Sequence, residues 1–204
     1  SFGKPIILST GMNDIASIGK SVSIFEKHGV PYALLHCTNV YPTPDHIIRL
    51  GGIDELAGAF PNAVVGLSDH SVDNLACLGG VAVGASILER HFTDSKDRPG
   101  PDINCSMDGA ELFDLIKQSK RLKQMRGGRK GAVEEEQSTI DFAYACVVST
   151  KPIFKGERFT VDNIWVKRPG TGDFLADQYD VVLGQLAACD VSADVQIKKA
   201  HIGC

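Results

Sequence analysis

The sequence predicts a parallel α/β fold followed by a small turn-rich domain, on three observations. Between Lys4 and Met125 short apolar runs alternate four times with stretches of helical periodicity, joined by short connections, the pattern of strands packed between crossover helices. Two of the runs, Val64–Leu67 and Ser86–Leu88, break off into polar residues that end on a histidine, His70 and His91. From Arg126 the composition changes: RGGRKGAVEEEQST carries paired glycines, a basic cluster and three consecutive glutamates, and the residues beyond it read as short strands and turns.

Lys4-Pro5 leads into a buried strand, Ile6–Leu8, that ends in Ser9-Thr10-Gly11-Met12. Asn13 is placed to cap a helix whose apolar positions Ile15, Ile18, Val22 and Phe25 recur at helical spacing, with Gly29 as its stop. The second strand, Tyr32–His36, runs into the polar loop Cys37–Pro44, and a helix around Ile53–Phe60 stops at Pro61. Val64–Leu67 and Ser86–Leu88 read as strands buried on both faces, and Asp73–Ala85 is long enough for the crossover helix between them. Asp108 and Glu111 form a capping box for an amphipathic helix with Leu112, Leu115, Ile116, Leu122 and Met125 on one face. Four such units are half of an eight-stranded barrel, which takes about 250 residues. The chain also lacks an initiator methionine and opens on a strand, so a first half-barrel is expected to be missing.

The domains expected are 1–125 for the βα units, 126–141 for a linker and 142–204 for the small domain, with strands over Phe142–Val148 and Ile164–Arg168. About 60 residues bury too little surface for comfortable independent stability, so this domain is expected to pack on something else.

Bulk properties narrow the function. A formal charge of −4, a pI near 5.8 and the absence of a basic stripe argue against a nucleic-acid partner. No apolar run approaches the roughly 18–20 residues that span a bilayer, and SFGKPIIL has no signal-peptide architecture. No membrane association and a cytoplasmic location are therefore expected. Cys37, Cys77, Cys105, Cys146, Cys189 and Cys204 show no paired spacing and read as reduced, small hydrophobes. Cys37 and Cys105 lie near the polar loops, but nothing close in sequence argues for a lowered pKa.

In a βαβ unit the carboxyl ends of both strands lie on one side, which brings Ser68, Asp69 and His70 beside Glu89 and His91. Two imidazoles from adjacent strands, flanked by carboxylates, form a candidate divalent-metal site. A single histidine after an apolar strand is as readily a hydrogen-bonded turn residue; repetition at the same strand end favours the metal. The loop after His91, with Asp94, Asp97, Arg98 and Asp102, lies over that end.

GKPIILSTGM, HCTNVYPTP, GLSDH, ILERHFT, DRPGPD and VKRPGTGDF, in that order along the whole chain, resemble the bacterial N-acetylneuraminate (sialic acid) synthase family. The resemblance implies the second half of a TIM (β/α)8 barrel followed by a SAF (antifreeze-like, β-clip) domain. It implies an enzyme that condenses phosphoenolpyruvate with N-acetylmannosamine to give sialic acid and phosphate. His70 and His91 match the family's metal ligands, for manganese in the first place, or magnesium or cobalt. Glu89 is placed to steer charge or protons as a third catalytic residue. Ser9, Asn39 and Ser68 match phosphoenolpyruvate contacts, and Tyr41 and Asp102 match sugar-hydroxyl contacts. Phe142 and Arg168 match residues that the SAF domain contributes to the neighbouring subunit of a swapped homodimer, Arg168 at the N-acetyl group. Turn chemistry at Ser9 and Ser68, or a solvated charge at Arg168, are the plain alternatives. The family's phosphate-binding lysines and one catalytic glutamate fall in the missing half, so the chain alone is expected to be inactive. Alternatives are a legionaminic or pseudaminic acid synthase, or a non-catalytic sugar-binding fragment; retention of both histidines with Glu89 and Asp102 speaks against the last.

Overall fold

A computed structural model describes residues 3–203; Cys204 lies outside them. The chain divides into two compact units, with the boundary along the chain between Gly128 and Arg129. The first holds β1 (Ile6–Ser9), α1 (Ile15–Lys27), β2 (Tyr32–Cys37), α2 (Gly51–Ala59), β3 (Val64–Asp69), α3 (Leu75–Ala82), β4 (Ile87–Arg90) and α4 (Gly109–Met125). Its four strands are parallel and in sequence order, each pair joined by a helix, as in half of a TIM barrel.

Strand alternation assigns the two faces. Leu8, Leu34, Val65, Leu67 and Leu88 pack with Ile18, Val22, Ile53, Leu56, Cys77 and Leu115 of the helices, making the core between sheet and helices. The intervening positions form an inner face. The register aligns Ser9, Leu35, Gly66 and Ile87 in one row there, and Cys37, Ser68 and Glu89 in the next.

Several local expectations are corrected. β1 is not buried: Ile7 is 60% exposed, because an edge strand with an open inner face has neighbours on too few sides. The open inner face also leaves Val64 and Glu89 exposed, and of these four strands only β2 is covered along its whole length. Asp14, not Asn13, caps α1, accepting from the Ser17 amide at 2.8 Å. Asn13 instead bonds the Gly11 carbonyl and the Ser17 hydroxyl. Of the apolar positions expected to share a covered face of α4, Leu115 is buried, but Ile116 and Met125 are exposed.

The Asp108–Glu111 capping box is present: Asp108 Oδ1 accepts from the amides of Ala110 and Glu111, and Glu111 Oε2 accepts from the amide of Asp108, all at 2.9 Å. Burial pushes the Glu111 carboxyl up, but Lys96 and the Asp108 amide outweigh it and hold the pKa below the ordinary range. The lowered folded pKa means this contribution is full above the ordinary carboxylate pKa and is lost as pH falls through the lowered value. Replacing Asp108 by alanine is expected to cost about 1 kcal/mol, read as a lower urea midpoint with an unchanged slope.

The second unit has its own core of Val147, Ile153, Phe159, Ile164, Phe174, Val182, Val191 and Ile197. It is built on the antiparallel pair β5 (Cys146–Ser149) and β6 (Ile164–Lys167), with the short α6 (Tyr179–Val182) and isolated bridges between turns. The later part of the segment expected to be a linker, with the first residues of the expected strand Phe142–Val148, forms a 3-10 turn over Glu134–Glu136 and the helix α5 (Gln137–Ala143). The Glu136 side chain caps the Val133 amide at 2.9 Å, and three carboxylates at a helix N-terminus suit its dipole. The strand begins only at Cys146.

Candidate functional site

Every candidate residue on the first unit lies on or beyond the inner face at the carboxyl ends of the strands. Ser9 ends β1, Ser68 lies in β3, and Glu89 lies in β4. Ser68 and Glu89 are register partners, so their side chains leave the sheet on the same side. His70 and His91, two residues further along their strands, continue that alternation.

The imidazole rings of His70 and His91 lie 5.1 Å apart, centroid to centroid, in an edge-on arrangement. His70 Nδ1 sits 3.1 Å from the carbonyl of Thr38, an acceptor that fixes the proton on Nδ1 and leaves Nε2 with its lone pair. His91 Nδ1 faces the Asp102 carboxylate at 3.6 Å. Oxygen behind one ring nitrogen is the arrangement that orients metal-ligating histidines. The donor set therefore fits a divalent ion.

Tyr41 closes one side of the pair, its ring 4.1 Å from His70 and 5.8 Å from His91. Burial, then the nearby Cys37, Asp102 and Cys105 groups, push its phenol above the ordinary value, only partly opposed by Asn39; Tyr41 thus keeps its proton to donate. Asn39 accepts from the Cys37 thiol at 3.3 Å. A Cβ at Gly11 would lie 1.6 Å from the Asn39 side-chain oxygen, so the loop after β1 closes on Asn39 only with glycine there. An open depression of about 530 Å3 runs beside Glu89, His91 and Asp102. A more enclosed groove of about 370 Å3, on the helix side between Leu88, Leu112 and Ile116, is away from the histidines.

The structure also brings in Thr38, which the sequence does not single out, and gives Cys105 a place beside His91. Thr38 orients His70, and Cys105 lies with Asp102 and His91 so that one ligand atom of each falls within 4.8 Å of the others. Burial and Asp102 push the Cys105 thiol up, which fits the reading of this cysteine as no nucleophile. Cys37 lies in the inner-face row of Ser68 and Glu89. The five cysteines among the described residues are unpaired.

On the second unit Phe142, in α5, is 71% exposed, and Arg168, just past β6, is also exposed. They lie near each other: the Gly170 amide donates to the carbonyl of Asp141 at 3.0 Å. Gly170 is needed there for close approach, since a Cβ would meet Tyr144 at 2.6 Å. The Pro169 carbonyl accepts from Cys146 and Gln196, so the turn behind Arg168 is fixed.

Residues 1–131 match the NeuB family and residues 144–203 match the SAF domain. The chain is 36% identical over 200 residues to an N,N'-diacetyllegionaminic acid synthase of Campylobacter jejuni, covering 96% of this chain and 59% of that protein. It is 32% identical over 197 residues to a pseudaminic acid synthase of the same species, covering 96% and 57%. A crystal structure of the N-acetylneuraminic acid (sialic acid) synthetase of Leptospira borgpetersenii superposes with a TM-score of 0.64 at 34% identity, covering 68% of this chain and 48% of that one. The chain thus spans about half the length of the relatives it matches. The match across the βα units, the half-barrel topology and the antiparallel second unit agree: the chain belongs to the NeuB family and ends in a SAF domain.

Proposed function

We propose that this chain forms the metal-binding half of an N-acetylneuraminate synthase, an enzyme that joins phosphoenolpyruvate to N-acetylmannosamine and releases phosphate. The observation that carries the reading is the pair His70 and His91, 5.1 Å apart on adjacent strand ends, each with Nδ1 facing an oxygen. The residues that would hold the ion are these two, through Nε2. A divalent cation, manganese before magnesium or cobalt, supplies Lewis-acid polarisation of the sugar aldehyde when bound.

The chain's own residues do the rest. Ser9, Asn39 and Ser68 line the inner face with hydroxyl and amide groups suited to the phosphate and carboxylate of phosphoenolpyruvate. Tyr41, kept protonated, and Asp102 orient the sugar hydroxyls. Glu89, in the row of Ser68, takes or gives the proton as the enol carbon attacks and water adds to the carbon that loses phosphate. Arg168 and Phe142 serve the barrel of the other subunit in a swapped homodimer, Arg168 donating to the N-acetyl carbonyl.

The identity to the Campylobacter legionaminic acid synthase supports a second reading, in which the acceptor is a modified 6-deoxy sugar. Both are tested by incubating the protein, complete with the barrel half its relatives carry, with phosphoenolpyruvate, Mn2+ and either sugar, and following phosphate release. Release with N-acetylmannosamine is expected; release only with the deoxy sugar selects the second reading, and release with neither overturns both.

A further inference from the structure

Behind the inner face, the strand ends that carry His70 and His91 are tied together by a buried polar network with no part in the chemistry above. Asp69 and Arg90 are register partners on the helix-covered face of β3 and β4, with side chains only 2% and 1% exposed and Arg90 Nε 3.5 Å from Asp69 Oδ2. Arg90 donates through Nη1 to Asn74 Oδ1 at 2.8 Å and through Nη2 to the Ser71 carbonyl at 3.0 Å. Asp69 accepts from the Ser71 amide at 3.0 Å and the Ser71 hydroxyl at 2.8 Å. Asn74 donates to the Glu111 carbonyl at 2.9 Å, and Lys96, from the loop between His91 and Asp102, reaches the Glu111 carboxylate at 2.6 Å.

The geometry of these bonds matters more than their energy. A well-packed hydrophobic pair can be as stable as a buried ion pair, because desolvation offsets the Coulombic gain. The network supplies fixed positions instead. His70 is bracketed by Asp69 and Ser71, and Ser71 is held at its amide by Asp69 and at its carbonyl by Arg90. Arg90 is itself one peptide from His91. The same chain of contacts continues through Asn74 and Glu111 to the loop that presents Asp102. The two strand ends that carry the histidines and the loop that presents Asp102 are thus tied from behind to one guanidinium.

We infer that Arg90, with Asp69 and Asn74, is the positioning apparatus that holds His70 and His91 at the spacing a single divalent ion requires. The inference rests on the divalent-ion reading of the two histidines.

It is tested by Mn2+ titration of the protein, followed by the loss of the free-ion electron paramagnetic resonance signal. Arg90→Lys keeps the charge but cannot reach Asn74 and Ser71 together. Asn74→Ala leaves Asp69 and Arg90 facing each other and removes both the acceptor of Arg90 Nη1 and the link to α4. Each is expected to weaken Mn2+ binding by about ten- to a hundredfold, the usual effect of outer-shell changes, with the far-ultraviolet circular dichroism of the parent retained. A purely structural role would lower the melting temperature and leave the affinity alone. If both variants, folded at the assay temperature, bind Mn2+ within about twofold of the parent while His70→Ala loses binding, the inference is overturned. If His70→Ala itself binds like the parent, the ion reading falls, and the inference with it.

Discussion

Alanine at either His70 or His91 is expected to weaken Mn2+ binding by at least about a hundredfold, more than the ten- to hundredfold of an outer-shell change, and to abolish phosphate release in the complete protein. In the proposed site each ring would supply one ligand, and Asp102 stands behind His91 Nδ1. Helical content should not change, because both residues lie past the ends of β3 and β4 and outside the helices. Unchanged Mn2+ affinity in both single variants would remove the site. Chelation should reproduce the loss, and Mn2+ should restore activity to the parent but not to the variants.

Arg168→Ala should lower kcat/KM for the N-acetylated sugar relative to the unacetylated amino sugar by roughly ten- to a hundredfold, the worth of about 1.5–3 kcal/mol for one charge-assisted hydrogen bond. The planar guanidinium suits an amide carbonyl, and it extends from a turn held by the bonds to the Pro169 carbonyl and the Gly170 amide. Mn2+ affinity should be unaffected. The proposed swapped arrangement makes a sharper demand. Mixing Arg168→Ala subunits with His70→Ala subunits of the complete protein pairs an intact barrel with an intact SAF domain once per heterodimer, and activity should return at about one site per heterodimer. Heterodimers that form without regaining activity would place Arg168 in the service of its own chain or of no site.

The parallel half-barrel was legible because its signals are local. The apolar run Tyr32–Leu35 marks the strand read over Tyr32–His36, and Asp108 with Glu111 states the start of α4 by a spacing of three residues. The histidines were legible for the same reason, since each comes after its own strand and parallel connections put like ends together. Less legible were the burial of β1, which depends on what lies beside an edge strand, and the fold of 126–141, where glycines and charges read as linker although Glu136 caps a helical turn.

By itself, then, the sequence determined the order of βα units, the change of architecture after Arg126 and the strand ends at which the candidate ligands stand. All of these come from periodicity and composition within a few residues. Only the tertiary structure decided that Thr38 and Asp102 stand behind the two imidazoles, that Cys105 joins His91 and Asp102, and that Asp69 and Arg90 tie both strand ends from the far side of the sheet. Apart from Cys105 with Asp102, those contacts join residues 11 to 32 positions apart or lie across a strand register, and no local pattern in the chain encodes them. They arise when the pleat sends alternate side chains to opposite faces and the parallel ladder sets neighbouring strands in line.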